Sequence, residues 1–169
     1  MIRWNNTLFL LAVTAFVLTG CRGGYSFTGS DAGMAKTVSV LVFPNQADLV
    51  NPQLSQSFTE QLRTTLVQQS SLALVPRDGD LHFSGAIVNY TVTPQAPSAN
   101  ELVALSRLTI TVKVTLVNAT DSKRSFEQLF LSTRDYSSAQ DLRAVEDALV
   151  QEMVKELSEK IFTRALVNW

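Results

Sequence analysis

The 169-residue chain is poor in the residues that do most protein chemistry. It has one Cys and one His, and only 17% of it is charged. A single Cys excludes a disulfide framework within the chain. One Cys with one His excludes a zinc site of the Cys/His kind. Fourteen Lys and Arg against fifteen Asp and Glu leave a net charge of −1, with no basic excess of the sort that nucleic-acid binding uses. A low charge content beside 46% hydrophobic residues also excludes a disordered polyelectrolyte. The length suits one domain. No G-x-S-x-G motif and no glycine-rich phosphate loop occur.

What is present begins with the first 21 residues. Met1-Ile2-Arg3-Trp4 carries one positive side chain, and residues 8–18 (LFLLAVTAFVL) are an uncharged, mostly apolar run. Eleven residues fall short of the roughly 20 that span a bilayer but match the apolar region of a signal peptide. The run leads into Leu18-Thr19-Gly20-Cys21. A branched apolar residue, a small residue, Gly and then Cys resemble a bacterial lipobox. There the thiol receives a diacylglycerol and cleavage leaves the Cys as an acylated N-terminus. Acyl chains contribute ~0.8 kcal/mol per buried CH₂ and hold a protein on a membrane without a spanning helix. The expected organisation is a signal peptide over 1–20, an acylated Cys21 with a tether over 21–36, and one domain over 37–169. Arg22 stands where an Asp would favour inner-membrane retention, so the outer membrane is expected.

Residues 22–36 hold four Gly and two Ser and read as a tether. Tyr25 and Phe27 alternate within them, which equally fits a short extended segment that docks.

Beyond residue 36 the periodicities are regular. Residues 37–43 form a β-branched strand with Val38, Val40 and Val42 on one face, stopped by Pro44-Asn45. Asn51-Pro52 offers an N-cap with Pro at the first helical position. Leu54, Phe58, Leu62 and Leu66 then mark one face of a helix over 52–69. A short strand over 72–75 and a Pro76 to Asp80 turn follow. Residues 81–93 alternate, with Gly85 placed for a bulge or a close contact with a helix. Residues 94–100 read as a polar loop. Residues 105–118 alternate most cleanly, with Leu108, Ile110, Val112, Val114 and Leu116 on one face. Arg107, Thr109, Thr111, Lys113 and Thr115 lie on the other, expected to be exposed. A hairpin turn over 118–124 leads to a strand over 126–133. Ser138-Ala139-Gln140-Asp141 has capping-box spacing, and apolar positions from Leu142 to Ile161 define a long helix to Leu166. The expected fold is α/β (α+β). It is a two-layer sandwich in which a mixed, mostly antiparallel sheet of four to five strands has two helices packed on one face.

The residues offer no catalytic constellation. His82 lies between Leu81 and Phe83 and reads as a structural histidine. Asp78 and Asp80 flank Gly79 as turn residues, without the 12-residue calcium-loop pattern. Glu146, Asp147, Glu152, Glu156 and Glu159 fit a solvated helix face. No enzyme activity, metal or cofactor is expected.

Several short motifs occur in a specific order. The lipobox precedes Tyr25-Ser26-Phe27-Thr28-Gly29, then Phe43-Pro44-Asn45. Leu49-Val50-Asn51-Pro52, Leu54-Ser55-Gln56 and Phe58-Thr59-Glu60 come next. Asp80-Leu81-His82-Phe83, Arg107 to Val112, Phe126-Glu127-Gln128 and the terminal Asn168-Trp169 complete the series. Together they resemble the LptE family of lipopolysaccharide-assembly lipoproteins, in its Bacteroidota form. The resemblance covers nearly all of the mature chain. It implies an outer-membrane lipoprotein that sits inside the large β-barrel LptD, plugs it, helps it fold and assists lipopolysaccharide delivery. It implies the same small α/β sandwich. The family's lipopolysaccharide-contacting basic residues do not align with this chain. The candidates for lipid or partner contact therefore rest on chemistry alone: Arg107 and Lys113 on the polar strand face, and Lys123 and Arg124 in the hairpin turn. Two other classes remain open at this level. One is a tethered regulator of a cell-wall enzyme, which a longer linker would favour; the other is a structural lipoprotein that binds cell-wall polymer.

Overall fold

The computed structural model describes residues 32–49, 51–96 and 104–167. Seven elements follow in the order β1 (Thr37–Val40), α1 (Leu54–Gln69), β2 (Ala73–Leu74), β3 (Leu81–Gln95), β4 (Leu105–Asn118), β5 (Phe126–Ser137) and α2 (Leu142–Leu166), with a 3₁₀ turn at Ser122–Arg124 before β5. The five strands form one sheet in the order β2-β1-β3-β4-β5. Strand β1 pairs parallel with both β2 and β3, whereas β3, β4 and β5 form an antiparallel meander. This is the mixed, mostly antiparallel α+β sheet that the periodicities indicate.

The apolar face follows from the alternation. Leu108, Ile110, Val112, Val114 and Leu116 of β4 are all buried, and they join Phe58, Leu62 and Leu66 of α1 and Met153, Leu157 and Ile161 of α2 in one core. At ~1.5 Å per residue the 25 residues of α2 run about 38 Å. Among the described residues no helix is long and apolar enough to cross a membrane.

Strand β1 ends three residues before the expected stop at 43. Leu41 still donates its N–H to the Phe83 carbonyl (2.9 Å), but the chain then turns out of the ladder. Helix α1 takes over there. Thr59 Oγ1 accepts from the Phe43 N–H (3.1 Å), and Ser55 Oγ donates to the Phe43 carbonyl (2.6 Å). The turn drives Phe43 into the core, edge-on to Phe58, and leaves Val42 61% exposed instead of beside Val38 and Val40.

Helix starts differ by a few residues from the sequence reading. The regular part of α1 begins at Leu54, yet Asn51 does cap it: its Oδ1 accepts from the Gln53 and Leu54 N–H groups (3.0 and 3.2 Å). In α2 the cap is Asp141, whose Oδ1 accepts from the Arg143 N–H (3.1 Å); Ser138 lies outside the helix. Strands β3 and β5 run on to Gln95 and Ser137, past their expected ends at 93 and 133, because β4 is long enough to pair with both throughout.

The Pro76 to Asp80 turn is a crossover. It carries the chain from β2, on one side of β1, to β3 on the other. Gly79 passes so close over β1 that a Cβ there would lie 2.6 Å from the Ser39 amide nitrogen and 2.7 Å from the Val38 carbonyl carbon. Its own N–H donates to Ser39 Oγ (3.1 Å). Asp80 fastens the start of β1: one carboxylate oxygen accepts from the Lys36 and Thr37 N–H groups (2.8 and 3.0 Å), and its own N–H donates to Thr37 Oγ1 (2.9 Å). Those backbone bonds, first the one from Lys36, lower the Asp80 carboxyl below its usual value.

Candidate functional site

The face of the sheet away from the helices is where the sequence placed its candidates. The ladder sets the outward side chains of β3, β4 and β5 in rows. Thr91, Thr109 and Thr133 form one row; Thr93, Arg107 and Asp135 the next; Ala86, Lys113 and Leu129 lie further along. Arg107 makes a two-pronged bond to Asp135 (Nε–Oδ1 2.7 Å, Nη2–Oδ2 2.8 Å), and Lys113 pairs with Glu127 (2.8 Å). Both pairs are exposed, so they contribute little to stability. What they do is neutralise the face: two of the four candidate cations are already matched by a carboxylate on the adjacent strand.

The face is less uniformly polar than β4 alone suggests. Thr109, Thr111 and Thr115 are half-buried between their neighbours, and Lys113 is exposed. Strand β5 adds Leu129 (60% exposed) and Leu131 (52% exposed) along its rim.

Lys123 and Arg124 sit in the β4–β5 turn. Asn118 Oδ1 accepts from the N–H groups of Thr120 and Asp121, which tightens the chain reversal, and Asp121 caps the 3₁₀ turn through the Lys123 N–H. Arg124 lies near Asp121 (3.5 Å), and Lys123 is exposed. The fold does not gather the four candidates. Arg107 and Lys113 are six residues apart on one strand, about 20 Å, and the turn lies beyond the far end. Cys21, the acylation candidate, lies outside the described residues, as do residues 22–31 of the tether and Asn168-Trp169.

The acidic side of α2 is not simply solvated. Glu156 accepts from Ser132 Oγ (2.9 Å) and pairs with Arg134 (2.6 Å) and Lys160 (2.5 Å); Glu152 lies 3.3 Å from Arg134. Partial burial alone would raise the Glu156 carboxyl, but Lys160, Arg134 and Ser132 outweigh it and hold it at about 2. The folded value is thus below the unfolded one, near 4.3 for a free Glu. The group stabilises the fold above that pH, and its contribution disappears as pH falls through about 2. In urea melts at pH 7 and pH 2.5 the wild type should lose more stability between the two than Glu156→Gln does; equal losses would show that the cluster is not a source of acid sensitivity.

A second buried anchor joins the other end of α2 to the sheet. Tyr90, 1% exposed, donates its hydroxyl to Glu146 Oε1 (2.5 Å), and Asn51 Nδ2 donates to the same oxygen (2.8 Å). Burial and then the Glu146 carboxylate push the Tyr90 hydroxyl above its ordinary value. His82 is hydrogen-bonded through Nδ1 to Ser39 Oγ (2.8 Å), as suits a structural histidine under the Gly79 crossover. Among the described residues no three His, Cys, Asp or Glu side chains converge as metal ligands. These anchors escaped the sequence reading because, apart from the Glu156–Lys160 pair within α2, each joins residues 18 to 95 positions apart.

The described residues thus form a two-layer α+β domain with a charge-matched sheet face turned away from the helices. The family model of LptE, described as lipopolysaccharide-assembly, matches residues 35–165. The chain belongs to that family, and its role lies in lipopolysaccharide assembly. Among curated proteins none matches the sequence. Solved structures share the fold at low identity. A minor lipoprotein from Acinetobacter baumannii is 16% identical, with a TM-score of 0.52 over 77% of this chain and 91% of that one. A hypothetical protein from Chlamydia trachomatis is 12% identical, with a TM-score of 0.53 over 79% and 99%. A homologue of neuraminyllactose-binding hemagglutinin from Helicobacter pylori is 9% identical, with a TM-score of 0.50 over 77% and 82%.

Proposed function

We propose that this chain is an outer-membrane lipoprotein, acylated at Cys21, that binds inside an LptD-type β-barrel, plugs it and assists lipopolysaccharide transport. It works by binding and not by catalysis. Family membership supports the reading, and one feature of the fold carries it: the uncovered face of β3–β5 closes its charges on itself through Arg107–Asp135 and Lys113–Glu127. The lumen of a membrane barrel is polar. A face built of Thr rows and internally matched ion pairs can lie against such a wall without burying an unpaired charge. Lys123 and Arg124, in the turn at the end of that face, are the side chains we assign to lipid phosphate or partner acidic groups.

The test is isolation of the full-length protein from its native envelope in mild detergent, with bound proteins identified by mass. A large β-barrel should copurify. Recovery of cell-wall enzymes alone would remove the plug reading. The anchor is tested separately: the wild type should incorporate labelled palmitate and Cys21→Ser should not, while a variant still labelled would place the acyl chain elsewhere.

A further inference from the structure

One end of the domain brings the chain's entry together with a set of cations. The turn at 32–35 is closed by the Ala35 N–H on the Ala32 carbonyl (3.1 Å). It lies against the β4–β5 turn, because a Cβ on Gly33 would stand 3.4 Å from Arg124 Nη1. Lys36 follows, with its N–H on the Asp80 carboxylate (2.8 Å); the Asp80 carbonyl in turn accepts from the Ala119 N–H (2.8 Å). The last turns of α2 reach the same place, where Arg164 lies over the Phe126 ring (4.7 Å). The starts of β1, β3 and β5 and the end of α2 therefore form one pole.

The charge of this pole is one-sided. Lys36 and Lys123 are exposed, and among the described residues neither ammonium is ion-paired. The acids here are already engaged. Asp80 holds main-chain N–H groups, and Asp121 caps the 3₁₀ turn and faces Arg124. Met34, in the turn at 32–35, is 77% exposed. At the opposite pole, where α2 begins, Asp141, Glu146 and Asp147 outnumber Arg143, and Arg107 is matched by Asp135.

The length of the chain ahead of the domain favours the same end. Ten residues, 22–31, separate Cys21 from Ala32. Such a stretch spans at most about 35 Å. Helix α2 alone, running from one pole to the other, covers about 38 Å. An anchor at Cys21 therefore keeps the Ala32 pole near the bilayer, and the domain cannot stand on its opposite pole.

We propose that the Ala32 pole is a membrane-docking surface. It rests on the anionic glycerophospholipid headgroups of the leaflet that holds the anchor, with Lys36 and Lys123 on lipid phosphates and Met34 seated among the headgroups. This is the stance of the lipoprotein before a partner takes it up. The inference rests on acylation at Cys21, and it narrows the role of Lys123 to this one lipid surface. Anionic headgroups attract basic side chains within a Debye length, and an exposed apolar side chain adds burial at the interface. Two lysines and one methionine would hold a free protein only weakly. On so short a tether the contact is intramolecular, and a weak contact suffices. The strands of β3–β5 then stand upright on the leaflet, with the face away from the helices presented sideways, clear of the lipid.

The experiment uses the full-length acylated protein in vesicles of phosphatidylethanolamine and phosphatidylglycerol. Acylation blocks the Cys21 thiol, so a fluorophore enters only at Ser122→Cys, on this pole, or at Thr93→Cys, on the opposite one. Quenching by a phospholipid spin-labelled in its headgroup should be at least about threefold greater for Ser122→Cys than for Thr93→Cys. It should fall toward the Thr93→Cys value when Lys36→Glu and Lys123→Glu are added, or in vesicles of phosphatidylcholine alone. Met34→Ser should reduce it, and Arg143→Glu should leave it unchanged. Equal quenching at the two sites would overturn the proposal. So would quenching at Ser122→Cys that ignores the two lysines or the lipid charge, or that arises only when lipopolysaccharide is added. Flotation of the vesicles reports on the anchor separately. Protein that floats without the difference loses this proposal and keeps acylation at Cys21; protein that does not float loses both.

Discussion

Gly85→Ala is expected to destabilise the domain by about 4 kcal/mol or more, in the range where strain and overpacking act together. Gly85 has φ +154°, a region that L side chains rarely adopt. A Cβ there would lie 1.9 Å from the Lys113 carbonyl oxygen and 2.7 Å from Phe43 Cε1. The first of these is backbone of the adjacent strand in the middle of the longest ladder, so relief requires β3 and β4 to separate. A urea melt measures the effect. A loss under about 1 kcal/mol would mean that the strands accommodate the methyl group by a local shift, and that the close approach is not a constraint on the fold.

Phe58→Ala should cost about 3–5 kcal/mol, the usual loss for a fully buried aromatic cut back to a methyl group. Phe58 is 0% exposed and stands edge-on to Phe43, with ring centroids 5.1 Å apart. Its neighbours Ser55 and Thr59 hold the main chain of Phe43, so truncation removes the ring against which the turn after β1 is packed. Equilibrium unfolding should show a lower midpoint with an unchanged slope; a loss below about 1 kcal/mol would place this contact outside the stabilising core. Because Phe43 touches both sites, the two substitutions are not independent. In the double variant Phe43 gains room to retreat from residue 85, yet the clash with Lys113 persists. The combined loss should fall short of the sum by only a small part.

These residues also mark where the sequence was legible. Strand β4 was readable residue by residue, because one face meets the core and the other does not, and alternation records that directly. Val42 follows the same alternation as Val38 and Val40, so nothing local announced that the chain would leave the sheet at Leu41. That exit is decided by Ser55 and Thr59, which lie on α1, beside the Leu54 to Leu66 positions that mark its apolar face. Gly85 was recognisable as a site of close approach, but the expected partner was a helix; the backbone of β4 at Lys113 and the Phe43 ring stand there instead, because the sheet pairs β3 directly with β4. The site divides in the same way. That Arg107 and Lys113 share a face was readable; that Asp135 and Glu127 stand opposite them depends on the register of β5. Glu156, read as solvated, gathers Ser132 and Arg134 from β5, whereas its partner Lys160 lies one turn further along its own helix.

The position of β1 settles how the domain answers a pull on its leading end. Tension applied ahead of Ala32 does not reach an outer strand that could peel away one bond at a time. It arrives at the second strand of the order, flanked by β2 and β3, and meets first the Asp80 carboxylate gripping the Lys36 and Thr37 amides. To yield, the chain must break that grip and draw β1 from between two neighbours, beneath the Gly79 strap. In the proposed lipoprotein the strain from the anchor would thus fall on an interior seam, and the face of β3–β5 proposed to meet the partner would stay out of the line of force.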